Sequence, residues 1–129
     1  MSEFQSIRGY PRGDKGYPKL KVWERANEDA LAVYKATEKF PREELYGVTS
    51  RLRKAVLSVA LNIVEGRASI SKKDFLNMSN RSPVESEYLL EIASDRSYLS
   101  HHDDALLEDK RWETGLLLKA FIRGVRSKL

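Results

Sequence analysis

Apolar residues return along this chain at steps of three and four, the spacing that stacks side chains on one face of a helix, and nowhere do they alternate as a half-buried strand requires. Leu20, Trp23, Ala26, Ala30, Leu31, Tyr34 and Thr37 form the first stripe, on a helix that ends near Phe40-Pro41. A second helix is expected from Pro41, with Glu43 and Glu44 in its positive first turn and a stop at Gly66. It turns Leu45, Val48, Leu52, Ala55, Val56, Val59, Ala60 and Ile63 inward. Ser71 and Asp74 have the spacing of a capping box for a third helix, whose apolar set includes Phe75, Leu76, Met78, Val84, Leu89, Ile92, Ala93 and Leu99. Pro83 lies within that set and predicts a kink or two abutting helices, because proline removes a backbone donor and clashes with the carbonyl four residues back. After Ser100-His101-His102-Asp103-Asp104, a fourth helix should run from about Ala105 to Arg126, capped by one of the two aspartates. Four such segments with short connections define an all-α protein, an antiparallel up-down-up-down four-helix bundle over residues 19–129. Residues 1–18 hold three of the seven glycines and two of the four prolines without an apolar period, and read as a flexible basic arm.

Charge adds a direction to this architecture. Residues 1–22 carry five Lys/Arg against two acids, residues 110–129 six against one, and residues 23–109 twelve against sixteen, so the net +4 is concentrated at the two ends. In an up-down-up-down bundle the start of helix 1, the helix 2–3 connection and the end of helix 4 share one pole. That pole would gather Lys19, Lys21, Arg67, Lys72, Lys73, Arg123, Arg126 and Lys128, opposite Glu43, Glu44, Asp103 and Asp104. Such polarity suits a polyanion, although basic ends also serve solubility. On helix 4, Leu116-Leu117-Leu118 and Ala120-Phe121-Ile122 sweep more of the circumference than one core face needs, which points to a subunit or partner interface or to cover by the arm.

Candidate chemistry is scarce. The chain has no cysteine, so thiol nucleophiles, disulfides and cysteine-held metals are excluded. The two histidines, His101 and His102, are adjacent and point about 100° apart on a helix, which suits neither one metal nor one serine. No Glu-x-x-His pair of the di-iron bundles occurs, and no phosphate-binding glycine loop. Glu85, Glu87, Glu91 and Asp95 read as the solvated face of helix 3. No enzyme activity, metal or cofactor is therefore expected. With no apolar run near the ~20 residues of a membrane span and no secretory apolar block, the expected location is the cytoplasm.

The richest stretch is residues 49–66, Thr-Ser-Arg-Leu-Arg-Lys-Ala-Val-Leu-Ser-Val-Ala-Leu-Asn-Ile-Val-Glu-Gly. Ser58, Asn62 and Glu65 fall at steps of four and three and form a polar line, a structural cluster beside the apolar stripe, while Arg51, Arg53 and Lys54 form a basic turn before it. This segment resembles the helix 2 signature of the four-helix-bundle proteins encoded in intervening sequences of 23S rRNA genes, the S23 family. Lys19-Leu20-Lys21-Val22-Trp23, Phe40-Pro41 with Glu43-Glu44, Asp74-Phe75-Leu76, Ser82 with Glu85 and Glu87, and Leu90-Glu91-Ile92-Ala93 resemble further family motifs, so that the likeness covers about residues 19–100. Two departures stand out. Ala60 replaces the family's proline in helix 2, which should leave that helix straighter, and Arg81-Ser82-Pro83 replaces its Gly-Ser-Leu.

The resemblance implies a bundle without catalytic activity that assembles into a homopentameric ring. A similar fold serves the accessory variability protein of diversity-generating retroelements, a basic pentamer that binds nucleic acid and a reverse transcriptase. The leading expectation is thus an oligomeric bundle binding RNA or DNA through Arg51, Arg53, Lys54, Arg67, Lys72, Lys73, Lys119, Arg123 and Arg126, with a reverse transcriptase as a further candidate partner. The competing expectation is a protein-interaction or structural scaffold with no direct nucleic-acid role.

Overall fold

The computed structural model describes residues 21–68 and 72–126, and the side-chain environments of residues 21–64 and 83–124. Four helices make up the fold: α1 (Lys21–Thr37), α2 (Val48–Ala68), α3 (Lys72–Asp95) and α4 (His101–Arg126), with a 3-10 turn at Arg42–Glu44 between the first two. No strand occurs among the described residues. The helices pack in a ring, α1 on α2 and α4, α2 on α3, and α3 more sparsely on α4.

Two stacked core clusters give the directions of the helices. One joins the first half of α1 (Val22, Ala26) to the second half of α2 (Val59, Ala60, Ile63) and the second half of α4 (Leu118, Ile122). The other joins the second half of α1 (Ala30, Val33, Ala36) to the first half of α2 (Leu52, Val56), the end of α3 (Leu89, Leu90, Ala93) and Leu107 near the start of α4. Beginnings meet ends throughout, which is the up-down-up-down bundle that the connection lengths imply. The arm, residues 1–18, lies outside the described residues.

Several boundaries differ from the pattern reading. The stripe of α1 is Val22, Ala26, Ala30, Val33 and Ala36, whereas Leu31 is 63% exposed and Trp23 and Tyr34 are half-buried. Small residues face inward because α1 is clasped between α2 and α4. The second α-helix starts at Val48, not Pro41: the amides of Glu44 and Leu45 bond back to the carbonyls of Pro41 and Arg42 in the tighter 3-10 turn. Glu44 still serves the helix start, because its Oε1 accepts from the Val48 amide at 3.4 Å. A Cβ on Gly47 would come within 2.8 Å of that same oxygen, so a side chain there would push the carboxylate aside. The helix continues past Gly66 to Ala68 and runs uninterrupted through Ala60, as the missing proline predicts.

Pro83 lies inside α3, which continues through it as one helix and not as two abutting ones. The flank after it is fixed by Leu89, Leu90 and Ala93 in the core, while the Ser86 hydroxyl donates to the Pro83 carbonyl at 3.0 Å. Val84, assigned inward by the pattern, is 67% exposed, and Leu90 takes a core place instead. The capping box at Ser71 lies outside the described residues. α3 ends in a Schellman motif: Tyr98 N–H bonds to Ala93 C=O at 2.9 Å and Ser97 N–H to Ser94 C=O at 3.0 Å, with Ser97 in the left-handed region at φ 63°. The fourth helix begins at His101, four residues earlier than expected. Its cap is Ser100, whose Oγ accepts from the Asp103 amide at 3.0 Å, so the two aspartates occupy the positive first turn instead of capping it.

The contrast between Leu52 and Leu31 tests this packing directly. Leu52→Ala should destabilise the bundle by about 2–5 kcal/mol, since it opens a cavity in a fully buried site, while Leu31→Ala should stay within about 0.5 kcal/mol. Urea denaturation followed by circular dichroism measures both, and equal losses would refute the assigned face of α1.

Candidate nucleic-acid interface and interhelical cavity

The basic residues singled out from the sequence do not form a single set. Arg53 is spoken for: its Nε donates to Thr37 Oγ1 at 2.8 Å and its guanidinium lies 4.8 Å from the centroid of the Tyr34 ring, so it ties α2 to α1. Arg51 is two-thirds exposed but reaches Glu85 of α3 at 3.9 Å. Lys54 is exposed on the outer side of α2. Lys119 and Arg123 are exposed on the last turns of α4, and Lys21 at the first turn of α1. Arg67 falls in the last turn of α2, Lys72 and Lys73 in the first turn of α3, and Arg126 closes α4; their side chains lie outside the described environments. The backbone therefore brings Lys21, Arg67, Lys72, Lys73, Lys119, Arg123 and Arg126 to one pole of the bundle.

The other pole is mixed rather than acidic. Lys39 approaches Asp103 at 3.9 Å, and Asp104 accepts from the Ser94 hydroxyl at 3.3 Å. Tyr98 donates its hydroxyl to Glu44 Oε2 at 2.7 Å and tilts its ring on Phe40 at 5.4 Å, with Arg96 stacked over its other side. That hydroxyl, then the Val48 amide, hold the Glu44 carboxyl below its ordinary range. The sequence pattern did not single out Tyr98 or Arg96, because their partner is 54 residues away in Tyr98's case.

Of the polar line on α2, Asn62 is buried and its Nδ2 has no partner, Ser58 is half-buried, and the Glu65 side chain lies outside the described environments. Glu85, Glu87, Glu91 and Asp95 are all exposed on α3. His101 and His102 are exposed, and no group of His, Asp and Glu able to hold a metal occurs among the described residues. No described helix is long and apolar enough to cross a membrane.

A second feature was invisible in the sequence. Where α3 and α4 meet sparsely, a cavity of about 410 Å³ opens between Pro83, Val84, Trp112 and Leu116 at its mouth side and Val59, Leu118 and Ile122 deeper in the bundle. Asp29 of α1 and Thr114 of α4 also line it, both buried, and each has a side-chain oxygen without a hydrogen-bond partner. Burial pushes the Asp29 carboxyl up to about 6, with Lys110 and Arg111 pulling it partway back. Those two cations are themselves engaged: Lys110 with Glu28 at 3.9 Å, and Arg111 with Glu108 and with Glu87 at 3.4 Å.

An all-helical ring with a basic pole and no catalytic cluster among its described residues defines a class of small bundle proteins, and the sequence comparison gives the family. The model of the 23S rRNA-intervening sequence protein family matches residues 18–120, and the chain belongs to that family. No curated protein matches it.

Asp29 makes the stability of the fold depend on pH in a direction opposite to most carboxylates. Its carboxyl is raised from 3.8 to about 6 on folding, so the folded state holds a proton that the unfolded state has released. Its contribution is fully present below about pH 4 and is lost as the pH rises through about 6. Asp29→Asn should accordingly gain stability at neutral pH, by roughly 2–3 kcal/mol relative to the native protein, and lose that advantage near pH 4. Urea titrations of both proteins at the two pH values measure this, and a pH-independent difference would refute it.

Proposed function

We propose that this protein is a non-enzymatic bundle that works as an assembly of several copies, five in the ring that the family resemblance implies, and grips the phosphate backbone of RNA or DNA with its basic pole. The observation that carries the reading is the convergence of basic positions from all four helices on one end of the bundle. At net +4 a single copy binds a polyanion weakly, and an assembly multiplies the charge. Assembly is supported by apolar side chains left outside the core, Leu57 and Leu61 on α2. A role beside a reverse transcriptase is the finer form of the same proposal, carried by the resemblance alone.

The scaffold reading has one observation in its favour. Arg53 and Arg51 are committed to neighbouring helices, so part of the basic set from the sequence is mortar and not a binding surface.

Light scattering after size exclusion should give several times 14.8 kDa, with five copies expected. Binding of structured RNA and duplex DNA by fluorescence anisotropy should depend little on sequence. Log affinity should fall linearly with log salt, by roughly 0.7–0.9 per neutralised phosphate. Charge reversal at Arg123 and Arg126 should weaken binding and flatten that slope, whereas Arg53→Ala should cost stability first. An assembled protein that binds neither nucleic acid at low salt returns the function to a scaffold.

A further inference from the structure

The cavity between α3 and α4 has the two components of a small-molecule site, an apolar enclosure and a few convergent polar groups, and its volume of about 410 Å³ lies within the range such sites occupy. The space borders Gly115, which has nothing within 4 Å of where a Cβ would stand, and Pro83 and Val84 of α3. Its polar groups are under-satisfied. Asp29 is 9% exposed and Thr114 6%, yet Asp29 Oδ1 and Thr114 Oγ1 have no partner, and neither has the buried Nε of Arg111 on the same lining. A buried carboxylate oxygen left unpaired is expensive, so a donor supplied from outside gains more here than at the surface.

The charges around Asp29 select the ligand. From α4, Lys110 and Arg111 face it but are drawn to Glu28, Glu87 and Glu108; from α3, Glu87 stands at the rim; Lys119 is exposed at the side. α2 contributes only Val59 to the cavity. An anion entering would meet Asp29 and Glu87 beside an Arg111 whose terminal nitrogens are already paired with Glu87 and Glu108, whereas an ammonium group brings donors to the Asp29 and Thr114 oxygens. We propose that this cavity binds a primary ammonium group carried on a compact apolar body, the ammonium held by Asp29 and Thr114 and the body lying against Trp112 and Leu116. The site shares Lys119 with the basic set but does not rest on the nucleic-acid reading.

The test uses the full chain, labelled with nitrogen-15 and titrated with 2-phenylethylamine, alongside 3-phenylpropionate as a probe of similar shape and opposite charge. The amine should give saturable amide shifts centred on Asp29, Thr114 and Gly115, and the carboxylate none. Asp29→Asn should weaken amine binding about tenfold or more, and Thr114→Val by a smaller factor. Binding to the native protein should also fade as the pH drops from about 7.5 to about 5, because Asp29 takes up the proton that the ammonium would replace, and this arm holds even if Asp29→Asn fails to fold. Saturation by the carboxylate as readily as by the amine would overturn the proposal. So would indifference to Asp29→Asn in a folded variant, or an absence of amine shifts at millimolar concentration, as when neighbouring copies close the cavity mouth.

Discussion

Helix α2 is the shared wall of both core clusters, and the rest of the bundle is arranged around its stripe. Leu52 and Ile63, both fully buried, stand about three turns apart on it. Leu52 meets the late half of α1 and the end of α3, while Ile63 meets the early half of α1 and the last turns of α4. A helix that serves two clusters along one line has to hold its two halves in register. Ala60, where the family's usual motif has proline, keeps all the backbone bonds of that stretch available and lies buried within the second cluster.

What remains is divided between tight and loose seams. α1 is drawn in on small residues and tied outward by ion pairs, Arg25 to Glu113 at 3.0 Å and Lys110 to Glu28 among them. These exposed pairs add specificity of register more than energy. The α3–α4 seam is looser, and it is there that space, unpaired oxygens and exposed apolar side chains collect. Asp29 sits on the tight side of this division and faces the loose one, which is why a residue of α1 lines a cavity between two other helices.

Much of the fold was readable in the sequence because the helices are amphipathic and their connections short. The inward set of α2 from Leu52 to Ile63 was legible from its three- and four-residue steps, which pass over the exposed Leu57 and Leu61, whereas Leu45, read as inward, lies before the helix and is exposed. α1 was harder: Leu31 outweighs Val33 in size and so attracts the eye, but a helix held between two neighbours needs small residues inward, a constraint visible only once those neighbours are in place. The start of α4 was assigned to the two aspartates because Asp and Ser both cap helices, and only the bond from the Asp103 amide to Ser100 Oγ separates the candidates. Of the site, charge position along the chain indicated the basic pole, yet it could not reveal that Arg53 is consumed by Thr37, 16 residues away on another helix. The cavity was beyond reach, because it is made by what four helices together fail to fill.

The bond from Tyr98 to Glu44 spans 54 residues and links the turn after α1 to the turn after α3. Most contacts in such a bundle are local and can form early, whereas this clasp closes only once α2 and α3 have paired along their length. Its contribution is expressed in how slowly the closed bundle comes apart, with little influence on how fast it assembles. That places a brake on opening at the end of the bundle away from the basic positions.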